Sequence, residues 1–155
     1  MRRELLAILI VAACNGANRS KPVEPEPTEP TEAAGSATVA AANDDAPVFR
    51  LEVAPPASCA VGAACEARIV LTALGAYKVN KEYPFKFVAD PGPGVSIDGT
   101  GTFAPTDAKT GTMTVRFRAE AAGTSRVSGT FKLSVCTDDI CKIEAAKVAF
   151  DVPVS

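Results

Sequence analysis

The side chains best suited to chemistry in this chain of 155 residues are its five cysteines: Cys14, Cys59, Cys65, Cys136 and Cys141. A cysteine sulfur can be acylated, bonded to a second sulfur, exchanged or bound to a metal, and the spacing decides among these. Histidine is absent, which excludes Ser-His-Asp and Cys-His catalysis and every His-ligated metal or haem site. The net charge is −2, so there is no basic footprint for nucleic acid.

Cys14 stands apart from the other four. It ends the string MRRELLAILIVAAC, in which Arg2 and Arg3 precede an apolar run from Leu5 to Ala13. That run is far shorter than the roughly 20 residues a spanning helix needs, and it has the length of a signal-peptide core followed by small residues. Val11-Ala12-Ala13-Cys14 resembles the bacterial lipobox. The resemblance implies a signal peptide over residues 1–13, removed so that Cys14 becomes a lipidated N-terminus. Each buried CH₂ contributes about 0.8 kcal/mol, so two or three acyl chains anchor stably where one holds marginally. Asn15 follows where an inner-membrane protein of this class tends to carry aspartate, which favours the outer membrane in a Gram-negative cell.

Residues 14–47 read as a lipidated, flexible tether rich in Pro, Glu and Ala. Prolines stand at 22, 25, 27, 30 and 47, and residues 15–47 hold two basic against six acidic side chains. No apolar period is present, so this stretch is expected to be disordered, with its Pro-Glu part an extended, self-repelling spacer.

The four remaining cysteines lie in residues 48–155, where the apolar period is two. Phe49, Leu51 and Val53 alternate with polar neighbours, as do Ile69 and Leu71, then Met113, Val115 and Phe117, then Val127, Phe131, Leu133 and Val135, and finally Val148, Phe150, Val152 and Val154. Turn signals separate the runs, including Asp90-Pro91-Gly92-Pro93-Gly94 and Asp98-Gly99-Thr100-Gly101. The spacing predicts an all-β domain, an immunoglobulin-like β-sandwich of about 7–8 antiparallel strands. Pro84 marks an edge or strand start beside Tyr83, Phe85 and Phe87. Residues 112–120 and 124–135 are expected to pair as a hairpin around Ala122-Gly123, setting Arg116, Arg118 and Lys132 on one mildly basic face. No helix is read from the sequence, and Glu144 to Lys147 has room for one turn at most. The Asp98–Thr102 glycine string reads as turn chemistry: no helix follows to hold an anion and no glutamate completes a calcium loop.

Within this frame an even set of four cysteines in an exported chain points to disulfides. Of the three pairings, the local one is expected: Cys59-Cys65 within the loop between the first two strands, and Cys136-Cys141 across the turn Thr137-Asp138-Asp139-Ile140. Facing residues of a narrow antiparallel pair lie about 4.5–5.5 Å apart, within the range a disulfide accepts. Zinc is disfavoured because Cys-x₅-Cys does not match the usual ligand spacing. Asp138 and Asp139 lie between the sulfurs of the second pair and are expected to raise its thiol pKa, with Lys142 acting the other way.

The stretch Leu133-Ser134-Val135-Cys136-Thr137-Asp138-Asp139-Ile140-Cys141, followed by Phe150-Asp151-Val152-Pro153-Val154, resembles the last hairpin of the amino-terminal periplasmic domain of the thiol:disulfide interchange protein DsbD. Gly75-Ala76-Tyr77-Lys78-Val79-Asn80, with Tyr83-Pro84, is similar to a Gly-aromatic-x-hydrophobic-Asn…Pro string of related small domains, although Ala76 breaks it. The resemblance implies an immunoglobulin-like fold over residues 48–155 and a redox pair formed by Cys136 and Cys141. Here Lys142-Ile143-Glu144 stands where family members often carry prolines. With no electron-feeding membrane domain read in these residues, any reductant is expected to come from another protein.

The sequence therefore leads to a membrane-anchored extracytoplasmic lipoprotein that takes part in thiol–disulfide exchange through a Cys-x₄-Cys hairpin. The alternative is a non-catalytic protein-binding or envelope-structural lipoprotein whose disulfides are structural. Expected partners are membrane lipid, through acylated Cys14, and periplasmic thiol proteins. No cofactor, metal or nucleic acid is expected.

Overall fold

A computed structural model describes residues 37–40 and 46–155. Cys14 and most of the expected tether lie outside these residues. Ten strands follow in chain order: β1 (Ala37–Ala40), β2 (Phe49–Ala54), β3 (Cys65–Ala73), β4 (Lys78–Val79), β5 (Lys86–Ala89), β6 (Val95–Ile97), β7 (Thr102–Pro105), β8 (Thr110–Ala119), β9 (Gly123–Cys136) and β10 (Cys141–Val154). There is no helix among the described residues.

The strands form two antiparallel sheets. One runs β1-β2-β3-β8-β6, with β7 also on β8; the other runs β10-β9-β4, with β5 also on β9. The alternation read from the sequence is the cause. Phe49, Leu51 and Val53 of β2, Ile69 and Leu71 of β3, and Met113, Val115 and Phe117 of β8 point inward from one sheet. Val127, Phe131, Leu133 and Val135 of β9, with Val148, Phe150 and Val152 of β10, point inward from the other. All belong to one buried cluster. Four fully buried Phe side chains, Phe49, Phe87, Phe117 and Phe131, are its largest members, and removing such surface from water is the dominant stabilising term.

Four sequence expectations need correction. Ten strands replace the seven or eight expected, because short edge segments pair wherever a long strand leaves its backbone groups open. Ala37–Ala40, inside the expected tether, adds to β2 with Ala37 opposite Val53. β8 and β9 are not a hairpin: β8 pairs with β3, β6 and β7, while β9 pairs with β10, β4 and β5. Both carry a fully apolar inner face, and the chain crosses from one sheet to the other between Ala119 and Gly123. Arg116 and Arg118 therefore do not share a face with Lys132. Arg116 pairs with Glu66 at 2.7 Å and Arg118 with Asp98 at 3.7 Å. Finally, Glu144 to Lys147 is strand, with Glu144 opposite Leu133 and Lys147 opposite Thr130.

The shorter strands are edge strands in two pieces. β6 and β7 run along the same edge of β8, with four residues, Asp98 to Gly101, bulging out opposite Val115 and Arg116. Gly101 has φ 76°, and a Cβ there would lie 2.6 Å from the Met113 sulfur, so glycine is required. In the same way residues 80–85 loop out between β4 and β5 along β9. Pro84 falls in that loop, where no ladder hydrogen bond is lost. Gly129 lets β5 close on β9: a Cβ would stand 2.5 Å from Phe87 Cζ and 2.6 Å from the Val88 carbonyl oxygen.

Candidate functional site

Both local disulfides are present, Cys59–Cys65 and Cys136–Cys141. Their surroundings differ. Cys59 is 3% exposed. Its N–H donates to the Pro153 carbonyl at 2.9 Å and its carbonyl accepts from the Ser155 N–H at 2.9 Å, while the Gly62 N–H donates to Ala119 O at 2.8 Å. The loop closed by this bridge thus ties the end of β10 in one sheet to the end of β8 in the other. Every feature around it is structural.

Cys136 and Cys141 face each other across the β9–β10 hairpin, with Cα atoms 4.0 Å apart. Cys136 is half-buried and Cys141 exposed. The turn between them is built locally. The Thr137 N–H donates to Ile140 O at 2.8 Å, and the Thr137 hydroxyl oxygen accepts from the N–H groups of Asp139 and Ile140 at 3.3 and 3.1 Å. Ile140 and Ile143, near Cys141 in sequence, are 55% and 69% exposed.

A third strand completes the site. In β4, Lys78 pairs with Cys136 and Val79 with Val135. The segment before β4 is held from the other sheet. Asp107 accepts from the N–H groups of Lys109 and Thr110 at 2.6 and 2.7 Å and from the Thr110 hydroxyl at 2.7 Å. Lys109 Nζ in turn donates to Gly75 O at 2.6 Å and Tyr77 O at 2.5 Å. The Asp107 carboxyl is held below its ordinary value, first by the Thr110 hydroxyl and then by these backbone N–H groups. After β4, Asn80 donates from Nδ2 to Ser134 Oγ at 3.3 Å and accepts the Glu82 N–H at 3.2 Å. Ser134 is completely buried, so this bond satisfies a polar group that would otherwise be costly to desolvate. The Gly75–Pro84 string singled out in the sequence is therefore brought against the cysteine hairpin.

The electrostatics differ from expectation at one lysine. Lys142 lies on the opposite face of β10 from Cys141, with its ammonium 5.9 Å from the Tyr77 ring centroid. The cation that meets the turn is Lys78, whose Nζ donates to Asp138 Oδ1 at 2.7 Å. This bond and the accompanying charge attraction hold the Asp138 carboxyl below its ordinary value of 3.8. No local spacing signals the contact, because 60 residues separate the partners. A depressed carboxyl stabilises the folded hairpin above its ordinary titration range, and that contribution is lost as the pH falls through the depressed value. The protection of the Thr137 and Ile140 amides, taken as the exchange rate relative to the intrinsic rate at each pH, is therefore expected to fall when the pH drops below about 4, and Asp138→Asn should abolish that pH dependence. Amide hydrogen exchange followed by NMR checks both.

No protein-family model matches the chain, and comparison with curated proteins and with solved structures likewise gave no match. Over the described residues, fold and site together define an all-β protein of two antiparallel sheets, with one disulfide rooted in the core at Cys59 and one disulfide displayed on a hairpin tip.

Proposed function

We propose that the chain is a membrane-anchored extracytoplasmic lipoprotein, lipidated at Cys14 and raised on a stalk that ends before β1. Its immunoglobulin-like β-sandwich, residues 48–155, resembles the amino-terminal domain of DsbD. It takes part in thiol–disulfide exchange through Cys136 and Cys141, with periplasmic dithiol proteins as partners. The observation that carries this reading is the contrast between the two bridges: the outer sulfur, Cys141, is exposed, while Cys59 is buried. Exchange requires a disulfide sulfur that an incoming thiolate can reach.

A partner thiolate attacks Cys141 Sγ, the bond to Cys136 breaks, and its electron pair leaves on Cys136 as thiolate. A second partner thiolate then attacks the partner sulfur of the mixed disulfide and releases Cys141. The partner dithiol is oxidised to a disulfide, and two electrons and two protons pass to the cysteine pair. Run in reverse, the reduced pair delivers electrons to a partner disulfide.

Equilibration with glutathione buffers, read by thiol alkylation, tests the reading. A reduction potential above about −300 mV is expected, together with a mixed disulfide formed when the free Cys141 thiolate of a Cys136→Ser variant attacks the disulfide of an oxidised periplasmic thiol protein and one partner sulfur leaves as thiolate. A lower potential with no trapped species would assign the bridge a structural role and leave a protein-binding or envelope-structural lipoprotein. Incorporation of radiolabelled fatty acid into the intact protein, and its loss in Cys14→Ser, tests the anchor.

A further inference from the structure

Lys78 of β4, Cys136 of β9 and Cys141 of β10 occupy one cross-strand row, since Lys78 pairs with Cys136 and Cys136 with Cys141. Directly opposed residues of antiparallel strands share a face, with Cβ atoms about 4.5–5.5 Å apart. The Lys78 side chain therefore starts beside the inner sulfur and ends on the carboxylate of Asp138. In the closed bridge both sulfurs are neutral, and Asp138 is the anion available to this ammonium in the turn.

We infer that Lys78 is the charge-compensating positioning residue of the cysteine pair: it rests on Asp138 while the bridge is closed and shifts to the Cys136 sulfur when a thiolate opens the bridge at Cys141. This rests on the exchange reading above and names how the same site is regulated. The shift is cheap because the Lys78 and Asp138 side chains are 52% and 86% exposed, and an ion pair so open to water contributes little. Its consequence is directional. An ammonium beside a leaving thiolate makes that sulfur the better leaving group, so the bond opens with Cys136 departing and Cys141 joined to the partner.

Other charges around the pair are placed differently. Asp139 lies in the turn, and Lys142 and Glu144 are on the reverse face of β10. Lys132 and its pair Lys86 lie on the row four residues further along β9. Lys81 and Glu82 belong to the loop after β4. None of them is opposite Cys136 in the register.

The test uses the full chain carrying Cys141→Ser, which leaves Cys136 as a free thiol beside Lys78 with Cys59–Cys65 intact. The pH profile of its alkylation by iodoacetamide is measured. Lys78→Met should raise the midpoint by about one pH unit, and slow alkylation at neutral pH severalfold to tenfold. Asp138→Asn, which frees Lys78 from its competitor, should lower the midpoint and speed alkylation. Lys78→Arg, which keeps the charge, should restore most of the wild-type profile and guards against a folding defect in Lys78→Met. The opposite signs separate this proposal from a purely structural clasp, because both variants break the same ion pair. Shifts of equal sign, or no shift in either variant, would overturn it. The assay needs no partner protein. Shifted profiles alongside a bridge inert to glutathione would leave the charge transfer standing while the exchange function fell; unshifted profiles alongside an exchanging bridge would do the reverse.

Discussion

Replacing Phe131 by alanine is expected to remove about 3–5 kcal/mol of stability, the usual cost of deleting a fully buried phenylalanine. Phe131 has no exposed surface, and its ring lies 6.1 Å from that of Phe85 and 6.2 Å from that of Phe103. Phe85 and Phe103 stack on each other at 3.8 Å. Phe103 comes from β7 in one sheet and Phe131 from β9 in the other, so the ring cluster spans the core and has little room to collapse around the cavity. A domain of this size holds roughly 5–15 kcal/mol in total, and each kilocalorie lost lowers the Tm by about 4–8 °C. Urea and thermal unfolding should therefore show Phe131→Ala with its Tm lowered by about 12–40 °C. Ile143→Ala, at a side chain 69% exposed, should change stability by no more than about 0.5 kcal/mol. A loss below about 1 kcal/mol for Phe131→Ala would mean that the two sheets do not enclose this ring.

The second large effect is a difference between the two bridges. Loop entropy alone treats them alike, at about 2 kcal/mol each, because their sequence separations are 6 and 5 residues. Burial and hydrogen bonding separate them. Cys59 is in the core and its backbone joins β10 to the loop before β3, so Cys59→Ala with Cys65→Ala should cost about 2–5 kcal/mol. The hairpin tip keeps its Thr137 hydrogen bonds and 14-residue strand ladder without sulfur, so Cys136→Ser with Cys141→Ser should cost at most about 2 kcal/mol. Dithiothreitol under native conditions should open Cys136–Cys141 at least about tenfold faster than Cys59–Cys65, because attack requires access to sulfur. Timed alkylation and peptide mapping read the order of opening. Equal rates would remove the exposure contrast on which the exchange reading stands.

Much of this site is written locally. Four residues between Cys136 and Cys141, with Thr137 ready to cap a turn, confine the two sulfurs to facing positions. The five between Cys59 and Cys65 do the same for a loop. The position of Lys78 is not local, because nothing in Tyr77-Lys78-Val79 specifies that it pairs with Cys136. Residues 141–147 carry little strand signal for a related reason. The inward positions there are Lys142, Glu144 and Ala146 and the outward ones include Ile143 and Ala145, so the apolar alternation that marks the rest of β10 fades. These residues are strand because β9 offers them a continuous ladder.

The sequence by itself determined which side chains turn inward, since a strand shows its two faces to alternate residues and burial selects the apolar one. It also favoured the local pairing among the three that four cysteines allow, and the structure holds that pairing. Only the tertiary structure decided that β8 and β9 belong to different sheets, that Ala37–Ala40 extends one of them, and that Lys78 meets the Cys136–Cys141 turn. The physical reason is common to all three. Period two fixes the face of a strand but leaves its neighbour open, and neighbours are chosen by hydrogen bonds and packing between residues far apart in the chain.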